Sequence, residues 1–174
     1  MACRAEVESD LNEPVKMVPL RSIRRLLLRF GQVDNRRRAL LVEAAAYLVA
    51  ARLALIFIPF QRLARRLGNF VPPTDIHAAR LQTAPSPDQT RLAEDIGWAV
   101  TRAARYVPFE AACLPQAMAA RVMLKRRGVR SVMHFGAAKG DGKSLVAHAW
   151  LDAAGVEVTG YPVAAQFAEI ACFV

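Results

Sequence analysis

The chain has 174 residues, 54 % of them hydrophobic, which is enough apolar material for a core and excludes an intrinsically disordered protein. The formal net charge is +9, and it is concentrated: between Arg21 and Arg66 there are eleven arginines and only two acids, Asp34 and Glu43. Such an excess indicates an acidic partner surface, whether a protein, a membrane leaflet or nucleic acid.

The N-terminal part of the chain predicts a loose tail followed by basic helices. Residues 1–17 carry four acids and no apolar run, which argues against a signal peptide. A basic helical region follows at 18–70. Within it, the pattern predicts a short amphipathic helix over 19–30, a long helix over 36–58 and a further short helix that ends at Gly68.

The segment "ALLVEAAAYLVAARLALIFIPF", from Ala39 to Phe60, is the most apolar part of the chain. A membrane-spanning helix needs about 20 nearly uncharged residues, whereas this segment contains Glu43 and Arg52 and stops at Pro59. We therefore interpret it as a buried or interface-lying helix and not as a spanning one.

A proline-rich connector at 71–91 leads to a second region at 92–174, which opens with a predicted helix over 92–106. The next helix contains Cys113 and is stopped by Gly128.

Beyond that glycine the apolar pattern alternates, so the stretches 129–138, 145–152 and 156–161 predict three strands. Helices followed by an antiparallel meander predict an α+β fold. In this fold a helical N-terminal region and the cysteine-bearing helix pack on a small antiparallel sheet.

The three cysteines, Cys3, Cys113 and Cys172, are too few and too scattered for a disulfide framework. No CxxC motif and no Cys/His pair has the spacing of a metal site, so neither a metal nor another cofactor is expected. A reducing, cytoplasmic compartment follows as the expectation.

Cys113 lies where a loop gives way to an alanine-rich helix, between Pro108 and Pro115. Proline is tolerated in the first helical turn, so Cys113 is predicted at or just before the first helical residue. Backbone N–H groups and the helix dipole stabilise a thiolate there, and the same groups can hold an oxyanion. A small buried cysteine is the alternative.

A thiolate nucleophile needs a base, and the chain offers His77, His134 and His148. His77 lies in the proline-rich connector, and the other two lie on adjacent predicted strands. Alternation places His148 and Trp150 on one face of their strand. That position suits a catalytic histidine, and it equally suits a buried histidine whose ring nitrogens are hydrogen-bonded within the core.

Three segments carry a family resemblance: Ile58–Gly68, "VPFEAACLPQAMAARVMLKRRGV" (Val107–Val129) and "HAWLDAAG" (His148–Gly155). They resemble the transglutaminase-like, papain-related cysteine peptidases and, more closely, the B2 leader peptidases of lasso-peptide biosynthesis. The resemblance implies that Cys113 is the nucleophile that attacks the bond between leader and core peptide, and that His148 is its general base.

The family's third catalytic residue is an aspartate on the next strand, and its place here is taken by Gly160, so the expected acid is absent. A three-residue "AAG" loop, with Gly155 in the left-handed conformation, would pair Asp152 with Val156. In this register Gly160 lies opposite His148, and Asp152 is too far along the strand to reach that ring. A backbone carbonyl, a water or a distant residue then orients the histidine, unless the register differs or activity is reduced.

The resemblance also implies partners. The substrate is a lasso-peptide precursor, and a separate leader-binding B1 protein and a lasso cyclase act beside the peptidase. The alternative is a non-catalytic or weakly active binding module of the same fold, which docks a partner protein or a membrane surface through its basic helices. Nucleic acid is not expected, because no recognised motif accompanies the charge.

The segment "AAKGDGKS" ends like a phosphate-binding loop, but it differs from one in two respects. Ala137 replaces the first glycine, and a predicted strand follows Ser144 where the motif requires a helix N-terminus. A hairpin turn explains these glycines better than nucleotide binding does.

Overall fold

A computed structural model describes residues 34–68, 70–71, 84–140 and 145–174. Helices come first and an antiparallel sheet follows, which confirms the predicted α+β class. The helices are α1 (Asn35–Phe57), α2 (Phe60–Leu67), α3 (Pro87–Ala104) and α4 (Cys113–Lys125). The strands are β1 (Phe70–Val71), β2 (Ser131–Lys139), β3 (Leu145–Ala153), β4 (Val156–Thr159) and β5 (Ala168–Phe173), with a 3₁₀ helix at Val163–Gln166.

Several predicted features lie outside the described residues. They are the tail at 1–17, the basic helix at 19–30, Cys3 and His77. The division of the chain into a basic helical region, a connector and a core stays a prediction.

The start of α3 differs from the sequence prediction. The helix begins at Pro87 and not at Leu92, because a capping box precedes it. The Ser86 hydroxyl accepts from the Gln89 backbone N–H at 3.3 Å, and the Gln89 side chain accepts from the Ser86 N–H at 3.0 Å. The first turn is polar and mostly exposed, so the apolar periodicity starts only after the helix has begun.

The five strands are ordered β1-β5-β2-β3-β4, and neighbouring strands are antiparallel. β2, β3 and β4 form the predicted meander. β5, which the alternation of the sequence did not single out, returns along the other side of β2 and places Cys172 directly opposite His134. β2 is thus the central strand of the sheet and is hydrogen-bonded to β3 on one side and to β5 on the other.

The core lies between the helices and one face of the sheet. The helices approach closely because much of their buried surface is alanine. Packing is close at Gly97 of α3, where a Cβ atom would lie 2.7 Å from the carbonyl oxygen of Val158 in β4. The buried alanines of the helices are Ala44, Ala51, Ala93, Ala99, Ala103, Ala117, Ala119 and Ala120.

By length and composition alone α1 could cross a membrane, since its most apolar window has a mean hydropathy of 2.0. A third of that window is buried inside the protein, and core helices of soluble proteins meet the same criterion. The buried residues of α1 belong to the core just described, in agreement with the predicted buried or interface-lying helix. They are Leu40, Leu41, Ala44, Leu48 and Ala51.

A bidentate ion pair ties α1 to the end of α4. The Nη1 and Nη2 atoms of Arg127 donate to the two carboxylate oxygens of Glu43 at 3.1 and 2.5 Å. Arg127 also donates to the Met123 carbonyl oxygen at 3.0 Å. The hydrogen bond from Arg127 lowers the pKa of Glu43 below its ordinary value of 4.5, so the ionised carboxylate stabilises the fold.

Replacing Glu43 with Gln removes the charge and keeps the size of the side chain. Because the pair is partly exposed, we expect the free energy of unfolding at neutral pH to fall by about 1 kcal/mol. The depressed pKa means that this contribution is present above 4.5 and is lost as the pH falls through the folded-state pKa, so the difference between variant and wild type should shrink.

Urea unfolding at neutral pH and at about pH 4 measures this difference. Glu94→Gln, at an exposed position of α3, is the matched control. An equal loss for Glu43→Gln at both pH values would show that packing, and not the ion pair, is responsible.

Candidate active site

Cys113 is the first residue of α4, at the position that the flanking prolines predicted. Ala112 is the N-cap and provides no side-chain acceptor for the helix N–H groups, and the first turn carries no acid. The positive end of the helix therefore lies beside the thiol without a neutralising carboxylate in the first turn. Cys113 is partly buried and packs against the helical core.

Gln116 fixes the loop that leads into α4. Its side-chain Nε2 donates to the carbonyl oxygen of Ala111 at 2.7 Å. Its backbone N–H donates to the Ala112 carbonyl oxygen at 3.4 Å, the first bond of the helical ladder. The backbone N–H groups that precede it lie at the start of α4, where an α-helix provides no acceptor of its own.

His148 lies on β3, and a backbone carbonyl orients it. Its Nε2 lies 2.8 Å from the carbonyl oxygen of Gly160. A carbonyl oxygen only accepts, so Nε2 carries the proton and Nδ1 carries the lone pair of the neutral imidazole. In this tautomer Nδ1 is the nitrogen that can take a proton from a thiol.

Two aromatic rings stack on His148. The Phe167 ring lies 4.8 Å away between centroids at an interplanar angle of 26°, and the Trp150 ring lies 6.1 Å away at 19°. Phe167 follows the 3₁₀ helix, so the return of the chain to β5 builds one wall of the histidine site. Stacking and the hydrogen bond to Gly160 together restrain the same imidazole.

Gly160, where the sequence resemblance implied that an acid is missing, has a backbone that strongly favours glycine. Its φ is +88°, in the left-handed region. A Cβ atom there would lie 2.6 Å from the Cβ of Trp150 and 2.7 Å from the carbonyl oxygen of Ala149. An aspartate at this position would therefore collide with β3, and the carbonyl group of Gly160 contacts the histidine in its place.

The predicted register of the β3–β4 hairpin is wrong by one residue. Val156 pairs with Ala153 and not with Asp152, because the turn contains two residues, Ala154 and Gly155, both with positive φ. The left-handed conformation predicted for Gly155 is present. A bulge then shifts the ladder, so the later pairs follow a different register from the first.

Cys113 lies at the start of α4 and His148 lies on β3, a strand against which α4 packs. Ala149 and Leu151 of β3 are part of the core beneath the helices, and Cys113 packs against that core. His148 alternates with these residues along the strand and leaves β3 on the other face. Strand alternation therefore does not by itself bring the thiol and the ring together, and their pairing as a catalytic dyad stays a prediction.

Sequence reasoning missed a second cysteine–histidine–acid cluster. The Cys172 thiol donates to Glu169 Oε1 at 2.6 Å and lies 3.6 Å from Nδ1 of His134, which Glu169 also contacts. On the other side of the ring, Nε2 of His134 lies 3.3 Å from Oδ2 of Asp152. The Tyr161 hydroxyl donates to the second oxygen of Asp152 at 2.5 Å.

This cluster is too deeply buried to receive a peptide. Cys172 is 0 % exposed and His134 is 1 % exposed. Only the strand pairing of β2 with β5 reveals it, because 38 positions separate the two residues in the sequence. Asp152, which was expected to be too far from His148, contacts the other histidine.

An α+β fold with a cysteine at the start of a helix and a histidine on a neighbouring antiparallel sheet is the arrangement of papain-related and transglutaminase-like proteins. A sequence profile described as "Transglutaminase-like superfamily" matches residues 54–172, more than half of the chain. The protein belongs to this superfamily, which includes cysteine peptidases. Neither the curated proteins nor the solved structures contain a significant match to the chain.

The contacts of Gly160 predict that Gly160→Ala is strongly destabilising. Positive φ alone costs an L-residue about 1 kcal/mol, and collision with β3 should raise the loss to about 3 kcal/mol. Gly128→Ala is the matched control, since Gly128 also has positive φ (71°) but a Cβ there meets nothing within 4 Å. Chemical unfolding of both variants measures the difference, and equal losses would contradict the packing argument.

Proposed function

We propose that this protein is a cysteine peptidase that removes the leader peptide from a lasso-peptide precursor in the cytoplasm. It acts with a separate leader-binding B1 protein and with the cyclase that closes the macrolactam, and the cleavage itself needs no cofactor. Superfamily membership supports the peptidase class. The resemblance of the segments around Cys113 and His148 to B2 leader peptidases supports the substrate.

The observation that carries this proposal is the hydrogen bond between His148 Nε2 and the Gly160 carbonyl oxygen. It leaves Nδ1 as the basic nitrogen, and a cysteine–histidine dyad needs one unprotonated ring nitrogen. The Phe167 ring stacks on the imidazole and restrains its orientation. A dyad oriented by a carbonyl remains a competent arrangement, because each member of a triad contributes only part of the rate.

In the proposed reaction the Cys113 thiol gives its proton to Nδ1 of His148, and the sulfur attacks the carbonyl carbon at the leader–core junction. Backbone N–H groups at the start of α4 stabilise the oxyanion. The C–N bond breaks as the imidazolium protonates the leaving amine, which frees the core peptide. His148 then takes a proton from water, which hydrolyses the thioester, releases the leader as an acid and restores the thiol.

Cys113→Ala is expected to abolish precursor cleavage, with a fall of about 10³-fold or more, because no other group supplies the nucleophile. Its unfolding free energy should change by less than about 1 kcal/mol, since the residue is small and only partly buried. Mass spectrometry of a candidate precursor incubated with the purified protein and its B1 partner measures the cleavage.

Cys172→Ala is the matched control, because Cys172 is also a thiol beside a histidine but is fully buried. Folded Cys172→Ala protein should still cleave. Iodoacetamide near neutral pH should label Cys113 in the wild type and leave Cys172 unlabelled. Cleavage by Cys113→Ala together with inactivity of folded Cys172→Ala would mean that the nucleophile is assigned to the wrong residue.

A second candidate function, docking of an acidic partner protein, is favoured by the outer face of α1. Four exposed apolar residues lie on one side of this helix: Val42, Val49, Leu53 and Ile56, each at least 40 % exposed. The same helix carries Arg36, Arg37 and Arg38 in its first turn and Arg52 nearer its end. An exposed apolar stripe on a positively charged helix suits an amphipathic acidic surface on the leader-binding protein.

For the docking surface we expect a Val49→Ser/Leu53→Ser variant to bind the B1 protein about tenfold more weakly, since it removes two central apolar contacts. Binding by the wild type should also weaken as salt rises, because the arginines are screened. Calorimetric titration measures both effects, with Val122→Ser on α4 as the control for an exposed valine. Binding to anionic vesicles but not to the B1 protein would show that the surface binds lipid, and it would contradict the proposal that B1 docks there.

A further inference from the structure

We propose that His134, Glu169 and Cys172 bind a divalent transition metal, zinc by preference, in a structural site on the face of the sheet opposite the helices. Their ligand atoms, one each from imidazole, carboxylate and thiol, all lie within 4.8 Å of one another. Thiolate and imidazole together select zinc over magnesium or calcium. The inference is independent of the proposed peptidase function and departs from the sequence-based expectation of no metal.

The spacing of the two best ligands matches a tetrahedral zinc site. Typical zinc–nitrogen and zinc–sulfur bonds place the two ligand atoms about 3.5 Å apart. Nδ1 of His134 and Sγ of Cys172 are 3.6 Å apart. The strand pairing brings the two side chains together, since the two residues are directly opposed across β2 and β5.

The groups around His134 prepare Nδ1 to act as a ligand. Nε2 of this ring lies 3.3 Å from the Asp152 carboxylate, which can accept the Nε2–H. Nδ1 contacts the Glu169 carboxylate, and a bound ion would take the place of any proton between them. A histidine that donates one ring N–H to a carboxylate and offers the other nitrogen to the metal is the usual arrangement of zinc sites. The Tyr161 hydroxyl holds Asp152, and the Trp150 ring stacks on the imidazole at 5.4 Å and 4°.

Glu169 provides the third ligand and the route of entry. Its carboxylate contacts both His134 and Cys172, and its side chain is 28 % exposed, whereas the other two side chains are buried. A small outward rotation of Glu169 makes room for the ion, and a water completes four-coordination. The Cys172 thiol loses its proton on binding, and thiolate plus carboxylate then balance the charge of the ion.

The expected consequence is structural. The ion would link the central strand β2 to β5, the last strand of the sheet, and would clamp the C-terminal segment. Burial of both His134 and Cys172 excludes a peptide substrate from this site, so the metal takes no part in the cleavage.

The test is a titration of the full-length, chelator-treated protein with Co²⁺, followed by competition with Zn²⁺. A bound thiolate produces a sulfur-to-cobalt charge-transfer band, which should saturate at one equivalent, disappear with Zn²⁺ and be accompanied by a higher melting temperature. The band should persist in Cys113→Ala and vanish in Cys172→Ser. Asp152→Asn should weaken metal affinity by about 10–100-fold, because it disturbs the orientation of His134.

Two outcomes would overturn the proposal. In one, the folded wild type shows neither the band nor a melting shift at a large excess of Co²⁺, so that the three side chains form a hydrogen-bonded cluster only. In the other, the band depends on Cys113, so that the metal binds elsewhere. The first outcome is measured on the wild type alone. The proposal can therefore be tested even if Cys172→Ser fails to fold.

Discussion

Both histidine sites depend on the antiparallel pairing of β2 with β3 on one side and with β5 on the other. Directly opposed residues of antiparallel strands share a face of the sheet. His134 is opposed by Trp150 on β3 and by Cys172 on β5, and Gly136 is opposed by His148. This alignment collects both histidines and the buried thiol on the face away from the core, although they come from three different strands.

Trp150 is the shared wall of the two sites. Its indole stacks on His134 and, at a longer distance, on His148. Gly136 makes room for it, because a Cβ atom at that position would lie 2.8 Å from the indole ring. Both histidine rings therefore pack against the same indole.

The two histidines are held by different kinds of group, one by a backbone carbonyl and the other by a side-chain carboxylate. A backbone carbonyl group, that of Gly160, orients His148. The carboxylate of Asp152, on β3, contacts His134 on the neighbouring strand β2. A side chain at position 160 would collide with Trp150 and Ala149, whereas the carbonyl group of Gly160 needs no such space.

Much of the fold could be predicted from the amino-acid sequence, because it depends on local chemistry. Apolar periodicity predicted α1, the prolines around Cys113 predicted the start of α4, and alternation predicted the strands of the meander. Gly128 predicted the end of the cysteine helix. The start of α3 was missed although its capping box is visible in the sequence, because its first turn carries no apolar stripe.

What the sequence determined by itself was the class of fold, the position of Cys113 at a helix N-terminus and the absence of an acid at Gly160. Each of these follows from neighbouring residues. The tertiary structure alone decided the pairing of β5 with β2, the carbonyl partner of His148 and the cluster around His134. Those contacts join residues distant in the chain, and a one-residue difference in a turn or a bulge changes which atoms meet, so no local pattern encodes them.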